Sequence, residues 1–157
     1  MRLTGLIVPE RVQTQTGVTS KKKALELLGE LLGQPADPSA ARPAAGAIFE
    51  ALSTREKLGS TGLGHGVAIP HGRMADLQIP RLGLLRLREA VDFDSMDQEP
   101  VDLLVGLIVP ESSTSEHLEL LAELARWLSQ PNAIAMLRRA GDDADLFATI
   151  VRSLPDA

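Results

Sequence analysis

The run Gly59-Ser-Thr-Gly-Leu-Gly-His-Gly-Val-Ala-Ile-Pro-His-Gly72 constrains this chain more than any other stretch. Its fourteen residues hold five glycines, two histidines and two hydroxyls around one short apolar run, Val67 to Ile69. Glycine is favoured where backbone takes positive φ or comes close to another group. A Pro-His-Gly corner after a β-type run is expected to hold His71 at the end of a strand, with a rigid residue before it and a flexible one after. Such a corner presents one imidazole at a surface. Two nucleotide readings fail at once. A P-loop needs Lys-Ser/Thr after its last glycine, which is missing here. A dinucleotide fingerprint needs its glycines after a strand, whereas Gly62, Gly64 and Gly66 precede one.

The chain has 157 residues, a length expected to form one domain, 1–157, with a sizeable core. A net charge of −5 gives a nucleic-acid role no electrostatic support. No apolar run approaches the roughly 18–20 residues that cross a bilayer, so no membrane insertion is expected. The N-terminus lacks the pattern of a signal peptide, and a cytoplasmic location is the expectation. With no cysteine, disulfides and thiolate metal sites are excluded. Aromatic residues make up only 3% of the chain, so the core is expected to be aliphatic.

Hydrophobic spacing orders the rest. Leu6 to Val8 reads as a short buried run and Arg11 to Thr16 as an edge strand. Ala24, Leu27, Leu28, Leu31 and Leu32 recur at helical spacing over Lys22 to Leu32, with Thr19 or Ser20 as N-cap and Gly33 as C-cap. Lys21, Lys22 and Lys23 read as a solvated face at that helix's positive end. After a Pro-rich loop, a second helix is expected from about Ala41 to Leu58. It has Pro43 in its first turn, and Ala44, Ala45, Ile48, Phe49 and Leu52 on one face. Arg73 to Pro80 reads as a loop, Arg81 to Leu87 as a strand and Val91 to Pro100 as an acidic connection. Leu103 to Val109 has the continuous apolar character of a central strand, ended by Pro110. Ser112 to Ser115 offer N-caps for a third helix to about Ser129, with Leu118, Leu121, Ala122, Ala125 and Leu128 facing inward. Shorter helices follow over Pro131 to Arg139 and Asp143 to Leu154. Helices before and after a block of strands imply one sheet with helices packed on it, an α/β or α+β chain.

Three side chains stand out chemically. A neutral imidazole is nucleophilic near pH 7, which makes His71 a candidate nucleophile as well as a candidate structural turn residue. Its surroundings suit an anion: glycine-rich N–H groups, the Ser60 and Thr61 hydroxyls, and Arg55 nearby in sequence. His117 falls in the first turn of the third helix, where the dipole disfavours the charged ring and free N–H groups attract anions. His65, between two glycines, reads as a loop residue. Asp92, Asp94, Asp97 and Glu99 read as a solvated loop rather than a glycosidase pair. The three histidines lack the spacing of a zinc site.

These residues resemble the enzyme IIA domains of the bacterial phosphoenolpyruvate-dependent phosphotransferase system, of the fructose/mannitol/nitrogen class. The resemblance rests on Arg55-Glu-Lys-Leu-Gly-Ser-Thr61 running into Gly62-Leu-Gly-His-Gly-Val-Ala-Ile-Pro-His-Gly72. It continues in Phe93-Asp-Ser-Met-Asp-Gln-Glu-Pro-Val-Asp-Leu-Leu104, Leu107-Ile-Val-Pro110 and Glu116-His-Leu-Glu-Leu. The Leu-Gly-Ser-Thr-Gly wording is most similar to the nitrogen-regulatory members. The resemblance implies a three-layer α/β/α sandwich around a mixed sheet of four to five strands. It implies that His71 accepts a phosphoryl group from an HPr-like phosphocarrier through Nε2, with His117 and Arg55 stabilising the group. Ser60, Thr61 and Gly72 are expected to line the phosphate. Neither cofactor nor metal is implied. The partners implied beyond the carrier are regulatory targets of the transporter or sensor-kinase kind, with a weak homodimer left open. The alternatives are a sugar-specific IIA unit passing phosphate to a IIB domain, or a pure binding module. An apolar, shallow rim around His71 is expected, Leu63 within it.

Overall fold

The computed structural model describes residues 3–37, 39 and 45–155. Two short 3-10 turns, Leu3–Leu6 and Pro9–Arg11, lead into strand β1 (Val12–Gln15). Helices α1 (Lys21–Leu32) and α2 (Ala45–Glu56) follow, then strands β2 (Gly62–Gly64), β3 (Val67–Ala68), β4 (His71–Met74), β5 (Arg81–Val91) and β6 (Val101–Pro110). Three helices close the chain: α3 (Thr114–Leu128), α4 (Pro131–Arg139) and α5 (Asp143–Ser153). Ser20 caps α1, its hydroxyl oxygen accepting from the Lys23 N–H at 3.1 Å, and Gly33 ends it. The expected start of α2, with Pro43 and Ala44, lies outside the described residues.

The sheet runs β1-β5-β6-β3-β2, and β4 continues the line of β3 along β6. It is therefore six segments occupying five positions. β5 and β6 are antiparallel, β1 lies parallel to β5, and β3 and β4 lie parallel to β6. This is a mixed sheet of the expected kind. β6 is central because it is apolar on both parities, and each parity feeds a different core. Leu103, Val105, Leu107 and Val109 join Leu120, Leu124 and Trp127 under α3 to α5. Leu104 and Ile108 join Leu28, Leu32, Ile48 and Leu52 under α1 and α2. Gly106 makes the second contact close: a Cβ there would sit 2.9 Å from both Leu28 methyl carbons. The result is the three-layer α/β/α sandwich.

Three details differ from the spacing-based expectation. Arg73 and Met74 belong to β4, because they take up parallel register with Val109 and Pro110 of β6. β5 runs on to Val91, shortening the acidic connection. The largest difference is the roll of α3. Its buried stripe is His117, Leu120, Leu124, Trp127 and Leu128, whereas Leu118 is 69% exposed and Ala122 is exposed. Burying Leu120, Leu124 and Trp127 removes more apolar area from water than burying Leu118, Ala122 and Ala125. The helix therefore turns its histidine toward the sheet.

Candidate functional site

The β2–β3 hairpin and the turn after it hold the glycine-rich run. His65 and Gly66 form its tip with φ of 57° and 82°, positive at both central positions as a type I′ hairpin turn requires. Arg138 braces this tip from α4: its guanidinium pairs with Asp102 at 2.8 Å and donates to the His65 carbonyl at 2.7 Å. His65 is thus an exposed hairpin residue, away from the other two histidines' pairing. Behind the hairpin, the Ile69 N–H donates to the Thr61 carbonyl at 3.0 Å, and Pro70 accepts from the Leu107 N–H at 3.0 Å. Those bonds fix where β4 begins, and His71 is its first residue.

β4 pairs with β6 and no strand among the described residues covers its other edge. In register with Leu107, His71 points to the α3 side of the sheet, while Gly72 faces α2. The imidazoles of His71 and His117 meet there edge-on, with ring centroids 5.3 Å apart and planes at 85°. His71 Nδ1 lies 2.8 Å from the Ile69 carbonyl oxygen. A carbonyl only accepts, so Nδ1 carries the proton and a neutral His71 has its lone pair on Nε2. His117 Nδ1 is buried without a hydrogen-bond partner among the described residues.

Both rings are held neutral. Burial pushes the His71 pKa below the ordinary imidazole value; the bond to Ile69 opposes this, Arg55 pushes further down and Glu56 pulls up. Burial lowers the His117 pKa too, helped by the cost of charging it beside a protonated His71 and by the Arg73 guanidinium. Arg55 is anchored at the end of α2, Nη1 donating to the Gly59 carbonyl at 2.7 Å. One arginine acts on each imidazole: Arg55, which sequence reasoning found, on His71, and Arg73, which it placed in a loop, on His117. Arg73 is visible only once the β4–β6 register is known.

The remaining expected residues have other partners. The Ser60 hydroxyl donates to the Phe93 carbonyl at 2.9 Å and accepts from the Gly62 N–H at 3.1 Å. The Thr61 hydroxyl is buried and donates to Glu56 Oε2, while its N–H donates to Glu56 Oε1 at 3.2 Å. Gly72 is buried against α2, where a Cβ would lie 3.0 Å from Ala51 Cβ. These three hold the turn in place. Lys21, read from sequence as part of a solvated face, is mostly buried: it pairs with Glu56 at 3.0 Å and lies 4.5 Å from the Phe93 ring centroid.

Residues 6–153 match the family described as "Phosphoenolpyruvate-dependent sugar phosphotransferase system, EIIA 2". The chain belongs to this EIIA type 2 family. It is 41% identical over 151 residues to a nitrogen regulatory protein of Pseudomonas aeruginosa, covering 96% of both chains. The crystal structure of nitrogen regulatory protein IIA-Ntr from Neisseria meningitidis superposes with a TM-score of 0.81 at 38% identity, over 94% of this chain and 98% of that one. The IIA mannitol structure from Escherichia coli, 21% identical, shares the fold with a TM-score of 0.71, over 92% of this chain and 98% of that one. Among the described residues of this EIIA chain, no helix is long and apolar enough to cross a membrane.

Proposed function

We propose that this EIIA protein is a regulatory phosphocarrier of the nitrogen type, with His71 Nε2 as the phosphoryl acceptor and an HPr-like phosphohistidine protein as donor. One observation carries the reading. Nδ1 of His71 is spent on the Ile69 carbonyl, so the free lone pair lies on Nε2 of a ring that meets His117 and feels the charge of Arg55.

The Nε2 lone pair forms a bond to phosphorus as the donor's N–P bond breaks, and that electron pair returns to the donor's ring. The protein has little covalent work to do beyond placing the atoms and steadying charge. Arg55, Arg73 and a ring N–H of His117 are available to the three phosphoryl oxygens. As the N–P bond forms, the His71 ring gains positive character. Its Nδ1–H bond to Ile69 then becomes charge-assisted, about twice as strong as its neutral counterpart. Leu118, exposed beside His117, supplies apolar surface for a shallow docking face, whereas Leu63, 45% exposed on β2 and expected in the same rim, lines a groove with Ala125, Leu128 and Ile134 instead.

Regulation of a target through the phosphorylation state is favoured over relay to a IIB domain. The nitrogen regulatory relatives match from end to end, with 96% of this chain aligned to the P. aeruginosa protein. The regulated partners fall in the transporter or sensor-kinase class, and the site of action is the cytoplasm.

The test incubates the protein with phosphoenolpyruvate, enzyme I and an HPr-type carrier and reads intact mass. The expected result is an acid-labile gain of one phosphate, absent in His71→Ala. His117→Ala should take up label about 10²-fold more slowly, the cost typical of losing one preorganised donor. Uptake at the normal rate in His71→Ala would overturn the assignment.

A further inference from the structure

Glu56 is a carboxylate with a side chain 4% exposed, and its hydrogen bonds lead toward the phosphoryl acceptor. From the last turn of α2 it accepts the N–H of Thr61 on one oxygen and the Thr61 hydroxyl on the other. The Thr61 carbonyl in turn accepts the Ile69 N–H at 3.0 Å, and the Ile69 carbonyl accepts Nδ1–H of His71 at 2.8 Å. The bonds thus lead from Glu56 through two residues, Thr61 and Ile69, to the ring. Lys21, from the first turn of α1, supplies the countercharge at 3.0 Å, with Asp94 at 3.8 Å on its far side.

We infer that Glu56 is the positioning residue of the site: it fixes the peptide carbonyl that dictates which nitrogen of His71 is free to take phosphate. This deepens the phosphocarrier reading and rests on it. The physical argument is one of alternatives. An imidazole has two nearly equivalent tautomers, and a strand-end histidine beside a glycine has room to turn. Only a stationary acceptor opposite Nδ1 keeps Nε2 as the nucleophile through every turnover. Ile69 is such an acceptor because its own N–H is tied to Thr61, and Thr61 is tied at backbone and side chain to one buried carboxylate. A neutral residue at 56 would still fill the space, but it could not accept at both oxygens while facing an ammonium.

The charged groups around His71 are Arg55 and Glu56 from α2, Arg73 from β4 and His117 from α3, with Lys21 of α1 behind Glu56. Arg55 and Glu56 are neighbours in sequence and act on the ring with opposite sign. Glu56→Gln should therefore move the His71 titration further down in pH, and Arg55→Gln should move it up. A carboxylate that merely stabilised the fold would change that titration through its charge alone and leave the tautomer ratio where it was.

The experiment uses the unphosphorylated full chain first. Imidazole 15N shifts of His71 should show the Nδ1–H tautomer almost alone in the wild type. Glu56→Gln should show a mixture of tautomers, together with the lowered titration. Phosphoryl transfer from the HPr-type carrier should then lose about tenfold in kcat with KM within twofold, since the docking face is untouched. Thr61→Val, which keeps the backbone link and removes the hydroxyl, should lose about threefold, and Thr61→Ser should recover it. If Glu56→Gln does not fold, the pair Lys21→Met/Glu56→Gln removes the stranded ammonium and serves instead. A wild-type tautomer ratio and kcat in the folded variant would overturn the role of Glu56 while label still appeared on His71. Label on a residue other than His71 would instead overturn the phosphocarrier reading, and the 15N result would still decide the tautomer claim.

Discussion

Gly72 packs directly on the backbone of α2 at Ala51, and replacing it tests how tightly the site is built. A Cβ at 72 would lie 3.0 Å from Ala51 Cβ and 3.1 Å from both the carbonyl carbon and oxygen of Ala51. Backbone atoms of a helix cannot step aside as a side-chain tip can, so α2 as a whole must lift by a few tenths of an ångström. Overpacking of this kind costs ~1–3 kcal/mol. Gly72 has no positive φ, so alanine there also recovers ~0.5–1 kcal/mol by restricting the unfolded chain. Taking the middle of each range, the net loss is about 1 kcal/mol, which for a chain of this length lowers Tm by roughly 2–4 °C. The last turn of α2 carries Arg55 and Glu56, so the same lift should slow phosphoryl uptake by ~3- to 10-fold, a placement effect. Calorimetry and intact-mass kinetics on Gly72→Ala, Ala51→Gly and the double variant measure both quantities. Because the two residues touch, the cycle should show a coupling of at least about 0.5 kcal/mol. A Gly72→Ala protein that melts at or above the wild type, or strictly additive effects in the cycle, would refute the argument.

Two further outcomes follow from the site's electrostatics and from the roll of α3. His71 and His117 both titrate below the ordinary imidazole value when folded. The unfolded chain therefore binds protons near pH 6.5 that the folded chain resists, and stability present above that pH falls as pH drops through the lowered folded values. Urea midpoints measured between pH 7.5 and 5.5 should decline in the wild type and flatten in His71→Gln/His117→Gln; an equal decline in both proteins would count against these two rings as the cause. Leu118→Asp, at an exposed position, should leave Tm nearly unchanged and raise KM for the carrier about tenfold, which steady-state kinetics at low carrier concentration would register.

What the sequence made legible was the part of the site set by local chemistry. A Pro-His-Gly corner, a helix-start histidine and a helix-end arginine each announce themselves within a few residues. Their convergence was implied by resemblance and is realised by the parallel pairing of β4 with β6. What stayed hidden depends on partners far along the chain. Arg73 reads as a loop residue until Val109 pairs with it. Glu56 reads as an ordinary helix-end acid until Thr61 folds back on it and Lys21 arrives from α1. The roll of α3 was misread because both stripes are apolar and the true one contains a histidine. A pattern search prefers a stripe of leucines and alanines, whereas the folded chain prefers the larger area of Leu124 and Trp127. The hydroxyls of Ser60 and Thr61 were legible as phosphate ligands only because sequence does not show where a hydroxyl points. Here each already has a protein acceptor, Phe93 or Glu56.

The same positive groups serve the site before and after it is charged. Before the proposed transfer, burial lowers the pKa of both rings, with Arg55 adding to it at His71 and Arg73 at His117, so Nε2 of His71 is unprotonated and nucleophilic near neutral pH. After transfer they face a dianion, and the repulsion that kept a proton away becomes attraction for the phosphoryl oxygens. Glu56 sets a limit on this effect. Lying behind the ring rather than beside the incoming group, it offsets Arg55 at His71 and ties down the Ile69 carbonyl. A carrier that must give its phosphate up again cannot bind it in a deep, fully cationic pocket. On the proposed role, a half-buried ring on an uncovered strand edge, with one acid offsetting Arg55, would hold a phosphoryl group firmly enough to report it and loosely enough to release it.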